Sequence, residues 1–125
     1  MTLGFSQIDL EKIDDKTIVT ITFKGKVDKE DYDLLLPQLE GIIEKGKRVR
    51  MLIVLEAFKG WSMGAAWEDT KFGLAHFNDI EKIAIVGEKK WEQLMAVFLK
   101  PFTRAAVQYF QHKHLDDARA WVQSE

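Results

Sequence analysis

Cysteine is absent from the chain, which excludes disulfides, thiolate-held zinc and thiol catalysis and accords with a reducing compartment. No apolar stretch approaches the length of a membrane span, and residues 1–7 hold neither a basic segment nor an apolar run, so the expectation is a cytoplasmic protein. A large charge of one sign is missing too. The formal net charge is -2 with acidic and basic residues interspersed, which is not the electrostatic footprint of a nucleic-acid binder. Neither the G-x-G-x-x-G nor the P-loop spacing occurs at a strand-to-helix junction, so nucleotide cofactors lose their main support and no cofactor is expected. There is no linker, repeat or low-complexity segment. What is present is a chain of 125 residues, 46% hydrophobic and 30% charged, an ordinary globular composition at a length that fits one domain over 1–125.

The hydrophobic pattern predicts nine elements. Residues 5–13 loosely alternate as a first strand, and Asp14, Asp15 and Lys16 make a polar turn. Over 17–27, Val19, Ile21 and Phe23 share one face while Ile18, Thr20 and Thr22 share the other, so the two strands pair as a hairpin. Asp28 is placed to cap a helix reaching Lys45, with Asp31 in the capping-box position. Tyr32, Leu35, Leu36, Leu39, Ile42 and Ile43 form its apolar stripe, and Gly46 suits a left-handed end. Pro37 predicts either a kink near Asp33 or a restart as a second helix. Five apolar residues in a row, 51–55, predict a central strand covered on both faces. After it, 56–60 breaks the pattern, Ser62 stands where an N-cap belongs, and Met63, Ala66, Trp67, Thr70, Leu74 and Phe77 fill an arc roughly 100° wide on a helix.

Residues 80–86 read as another buried strand, stopped by Gly87. Trp91, Leu94, Met95 and Phe98 then form an i, i+3, i+4, i+7 stripe that Val97, Leu99 and Phe102 widen. Such a greasy helix is either wedged between neighbours, one wall of an apolar ligand pocket, or a membrane-touching edge. A short strand over 105–110 and a helix with Leu115, Ala118, Trp121 and Val122 on one side close the chain. The order ββαβαβαβα predicts an α/β fold, a mixed and mostly parallel sheet of about five strands with four helices.

Open sheets of this kind gather binding sites beyond the carboxyl ends of their strands. Here that edge carries the loops 56–62, 87–91 and 111–114, which bring Trp61, Ser62, Glu88, Lys89, Lys90, His112 and His114 together; Gly64 and Trp91 adjoin them. Cations near helix N-termini suit a small anion. Ser62 is a plain cap, or a nucleophile or phosphorylation site, with no paired base in evidence. His112 and His114 share a side only on an extended segment and find no third metal ligand, so no metal is expected. Glu68 and Asp69 diverge by about 100° on their helix, unlike a paired acid and base. Phe72 lies opposite the core stripe beside Ala65 and His76, either solvent-exposed or part of a two-fold interface in a homodimer. No catalytic constellation is present.

The run from GKVDKEDY through FKGWSMGAAWED and VGEKKW, then KPF and LDDARAWV, resembles the STAS-like family of small bacterial SpoIIAA-like proteins over nearly the whole chain. The resemblance implies a four-helix, mixed-sheet domain like the anti-sigma factor antagonists, which act by docking on a kinase partner. In those regulators a phosphorylatable serine within Asp-Ser-Ser-Gly begins the helix after the central strand. Ser62 matches that place within Trp61-Ser62-Met63-Gly64, although Trp61 replaces the Asp and Met63 the second Ser. The resemblance implies a non-enzymatic regulatory module with a protein partner. A looser similarity to lipid-binding SEC14-type domains implies the alternative, a carrier of a small apolar or lipid-like ligand.

Overall fold

The computed structural model describes residues 5–27, 29–46, 48–61, 80–99 and 105–124. Strand β1 (Phe5–Ile13) turns through Asp14 and Asp15 into β2 (Lys16–Val27), and helix α1 (Lys29–Lys45) leads to β3 (Val49–Trp61). Then come β4 (Ile80–Gly87), α2 (Lys90–Leu99), β5 (Ala106–Gln111), a 3-10 turn (His112–His114) and α3 (Leu115–Gln123). The sheet order is β1-β2-β3-β4-β5, antiparallel between β1 and β2 and parallel at the three other pairings. This is the mixed, mostly parallel α/β architecture that the element order predicts. Three of the four expected α-helices stand among the described residues. The fourth, over 63–77, and the cap at Asp28 lie outside them.

Strict alternation along the strands divides the core into two layers. Val19, Ile21, Phe23, Met51, Leu55, Ile83, Ile85 and Val107 project to the side where α1 brings Leu35, Leu39 and Ile43 and α2 brings Ala96. Ile18, Leu52, Val54, Ala84 and Val86 project to the other side, where α3 brings Ala118 and Val122. Full burial of such side chains is worth about 1.5–3 kcal/mol each, and it is the reason the central run 51–55 carries no polar residue.

Helix α3 is also clamped by its end. Arg50, buried in β3, donates to the carbonyl oxygens of Val122 (2.8 Å) and Ser124, and its Nε donates to Glu81 Oε1 at 3.1 Å. Lys82 donates to the Trp121 and Ser124 carbonyls, both at 3.0 Å, with its ammonium 4.9 Å from the Trp121 ring centroid. Two cations thus satisfy the carbonyls that a helix C-terminus leaves open and complement its dipole. Arg48 bridges Asp15 and Glu81, at 2.9 and 3.2 Å. Burial pushes the Glu81 carboxyl up, but the hydrogen bonds and charges of Arg50 and Arg48 outweigh it and hold Glu81 below its ordinary value of 4.5.

Several local expectations are corrected. β3 does not stop at Leu55 but runs to Trp61, pairing Gly25 with Phe58, Lys26 with Gly60 and Val27 with Trp61 across two register shifts. The long β2 needs a hydrogen-bonding partner to its end, and bulges absorb the surplus residues of 56–60, helped by Gly25 at φ 64°. Pro37 sits inside one continuous helix, exposed, while the Gln38 side-chain amide donates to the Leu34 carbonyl at 2.9 Å. A proline there costs about 3 kcal/mol, an amount the burial of Leu35 and Leu39 offsets. Gly46 is not left-handed; Arg48 carries the positive φ, 50°. Glycine is needed at 46 because a Cβ would stand 2.7 Å from the Ile42 carbonyl oxygen. Leu94 is 56% exposed and so is not on the buried face of α2, where Glu92 and Ala96 are the buried residues among the described side chains.

Candidate functional site

The carboxyl edge of the sheet forks. β3 and β4 pair as far as Val54 and Val86, after which β3 continues along β2 while β4 ends at Gly87 beside Gln111 of β5. The half-buried His112 enters this fork, with Nε2 2.7 Å from the Leu55 carbonyl oxygen. A carbonyl only accepts, so this bond selects the tautomer with its proton on Nε2.

The loop between β4 and α2 is organised by Glu92, whose side chain is 1% exposed. Its Oε1 accepts from the backbone N–H groups of Glu88 and Lys89, both at 2.9 Å. Counting Lys89 as the cap, Glu92 is the third helical residue reaching back, which is one half of a capping box. Gly87 makes room for it: a Cβ there would lie 2.7 Å from Glu92 Oε1 and 3.3 Å from the Tyr109 hydroxyl. Burial first, and then the negative charges of Glu92 and Glu88, push the Tyr109 phenol above its ordinary 10.0.

This geometry overturns part of the anion expectation. The amides of Glu88 and Lys89, which would hold an external anion, are already bonded to the chain's own carboxylate. Glu88, Lys89 and Lys90 are exposed around them, and Trp91 stands in the first turn of α2. The two histidines part ways, since His114 Nδ1 is 3.2 Å from Asp117 Oδ2 while His112 serves Leu55. Among the described residues no group of three or more His, Asp or Glu could hold a metal ion. Trp61 ends β3 opposite Val27, on the β2 side of the fork. Ser62, Gly64, Ala65, Phe72 and His76 lie outside the described residues. Glu92 and Tyr109 are the members that pattern reading missed. The spacing of Glu92 from Lys89 was a signal, but lysine is not a capping side chain, so no box is sought behind it.

No helix among the described residues is long and apolar enough to cross a membrane. The family model described as SpoIIAA-like matches residues 18–123. The chain is also similar to a crystal structure of an uncharacterized protein of the DUF3478 family with a SpoIIAA-like fold, from Shewanella loihica PV-4. That similarity has a TM-score of 0.81 at 28% identity and covers 98% of this chain and 96% of the other. No curated protein matches.

Proposed function

Because the chain belongs to the SpoIIAA-like family, we propose that it is a non-enzymatic regulatory module that works by binding a protein partner. One asymmetry carries this reading. Among the described residues the exposed large hydrophobics are Leu10, Leu34, Leu94 and Val97, each 51–56% exposed. Leu34 is on α1, Leu94 and Val97 are on α2, and Leu10 pairs with Val19, so all four lie on the α1 and α2 side of the sheet. These side chains supply apolar contact surface for a partner on that side of the sheet. The carboxyl edge supports the same reading, since the carboxylate of Glu92 and the Nε2 of His112 are spent on backbone groups.

Native mass spectrometry of the protein purified from its own host tests the proposal. A stoichiometric protein partner supports it, a co-purifying lipid favours the carrier reading instead, and specific turnover on a metabolite panel sinks both. Ser62 is proposed as the switch: Ser62→Asp should change partner binding while leaving the melting temperature close to wild type, because an anion suits the helix N-terminus that the sequence predicts there. A homodimer through Ala65, Phe72 and His76 is a further proposal. Phe72→Ser should then shift dimer to monomer in sedimentation equilibrium.

A further inference from the structure

β1 is an edge of the sheet, paired only with β2 among the described residues. The two-residue turn at Asp14 and Asp15 makes Ile13 and Lys16 the closing hydrogen-bonded pair. By the alternation of an antiparallel ladder, Lys12 and Leu10 then occupy non-hydrogen-bonded positions, and their N–H and C=O groups point outward from the edge. Their side chains share the face of Thr17 and Val19, which is the face of α1. Val19 is 1% exposed, yet Leu10 opposite it is 52% exposed, so α1 covers β2 and leaves β1 open.

Between β1 and α1 lies a groove of about 330 Å³ lined by Leu10, Pro37, Gly41 and Ile42, with Lys12 and Lys45 as its only charged lining residues among those described. Gly41 stands in the interior of α1, where glycine is unfavourable, and a Cβ there would meet nothing within 4 Å. Packing does not require that glycine. Its missing side chain enlarges the groove.

We propose that an extended peptide of the protein partner adds to the free edge of β1, setting alternate apolar side chains into the groove and an acidic side chain against Lys12 and Lys45. Strand addition to an exposed edge combines backbone hydrogen bonds with pockets for every second side chain, and this groove supplies both. Two lysines as the sole charges of the described lining, on a chain of net charge -2, select an anionic residue over a cationic one.

The inference rests on reading the chain as an interaction module, and the test separates the two. Short blocked peptides of alternating valine and threonine with a single glutamate are titrated into isotope-labelled protein. The expected result is amide shifts at Leu10, Lys12, Gly41 and Lys45. Replacing the glutamate by lysine should weaken binding about tenfold, and Lys12→Glu with Lys45→Glu should reverse that preference. Gly41→Leu should raise the melting temperature and abolish binding, a combination that simple damage to the fold does not produce. Equal binding by peptides N-methylated along the backbone overturns the proposal, as does decanoate shifting the same amides where no peptide does. Hydrogen exchange on the partner complex completes the test. Protection of β1 and α1 supports the groove, while protection confined to other surfaces overturns it and leaves the module reading in place.

Discussion

Replacing Glu92 by alanine removes one buried acceptor that serves two N–H groups, those of Glu88 and Lys89 at 2.9 Å. A hydrogen bond to a charged group is worth about 1.5–3 kcal/mol, which sets a ceiling near 6 kcal/mol. Two effects reduce it. Glu88 and Lys89 are exposed, so water reaches their amides once the side chain is gone, and the desolvation cost of a buried carboxylate disappears with it. The expected loss is about 2–3 kcal/mol, and about 1–2 kcal/mol for Glu92→Gln, which keeps an acceptor of neutral strength. Gly87→Ala should cost about 1–3 kcal/mol in the wild type by overpacking, because its Cβ would meet Oε1 at 2.7 Å and Cδ at 3.2 Å. With Glu92 already alanine, the two nearest atoms are gone and the Tyr109 hydroxyl at 3.3 Å remains. Urea unfolding of the four proteins therefore should give a coupling of about 1 kcal/mol or more. Equal costs of Gly87→Ala in both backgrounds would refute the claim that Glu92 is what requires a glycine at 87.

Arg50→Ala should destabilise by about 1–3 kcal/mol, read by chemical denaturation, since it strands the buried Val122 carbonyl and leaves the Ser124 carbonyl to Lys82. Glu81 has a folded pKa below its ordinary 4.5, so its stabilisation is complete above that value and is lost as pH falls through the folded pKa; Glu81→Gln should flatten the acid limb of stability against pH. Tyr109 ionises above 10.0 in the fold, so its contribution is complete below pH 10 and is lost as pH rises through the folded value. Glu92→Gln should move that ionisation, followed by ultraviolet titration, to lower pH.

The sheet was legible because burial on two faces leaves a strong trace. Alternation over 17–23 assigned Val19 and Ile18 to opposite layers, and the unbroken run 51–55 placed β3 at the centre, both as found. The extension of β3 to Trp61 was not legible, because it answers the length of β2, a property of a distant segment that no local periodicity of 56–60 encodes. The stripe through Leu94 misled for a related reason. α2 buries Ala96 and the carboxylate of Glu92, residues that an apolar count scores as small or polar, while a larger neighbour faces outward. Arg50 was hidden in the same way, as a cation next to a greasy run whose partners lie at residues 122 and 124.

At the candidate site the bond that went unread is a local one. Lys89, Lys90 and His112 beside a helix start suggest an anion site, and the one local sign that the Glu92 carboxylate folds back to take both amides is its three-residue spacing from Lys89. An internal anion at a helix N-terminus gains the same dipole and the same donors as a bound one, without the entropy of capturing it. An external anion would have to displace a tethered carboxylate from a position it occupies at high effective concentration. At the carboxyl edge the amides of Glu88 and Lys89 are thus engaged from within the chain, just as Arg50 and Lys82 engage the carbonyls at the end of α3 near the opposite edge. If the chain is an interaction module as proposed, the face carrying α1 and α2, with exposed Leu34 and Leu94 and the groove beside Gly41, is where a partner would dock.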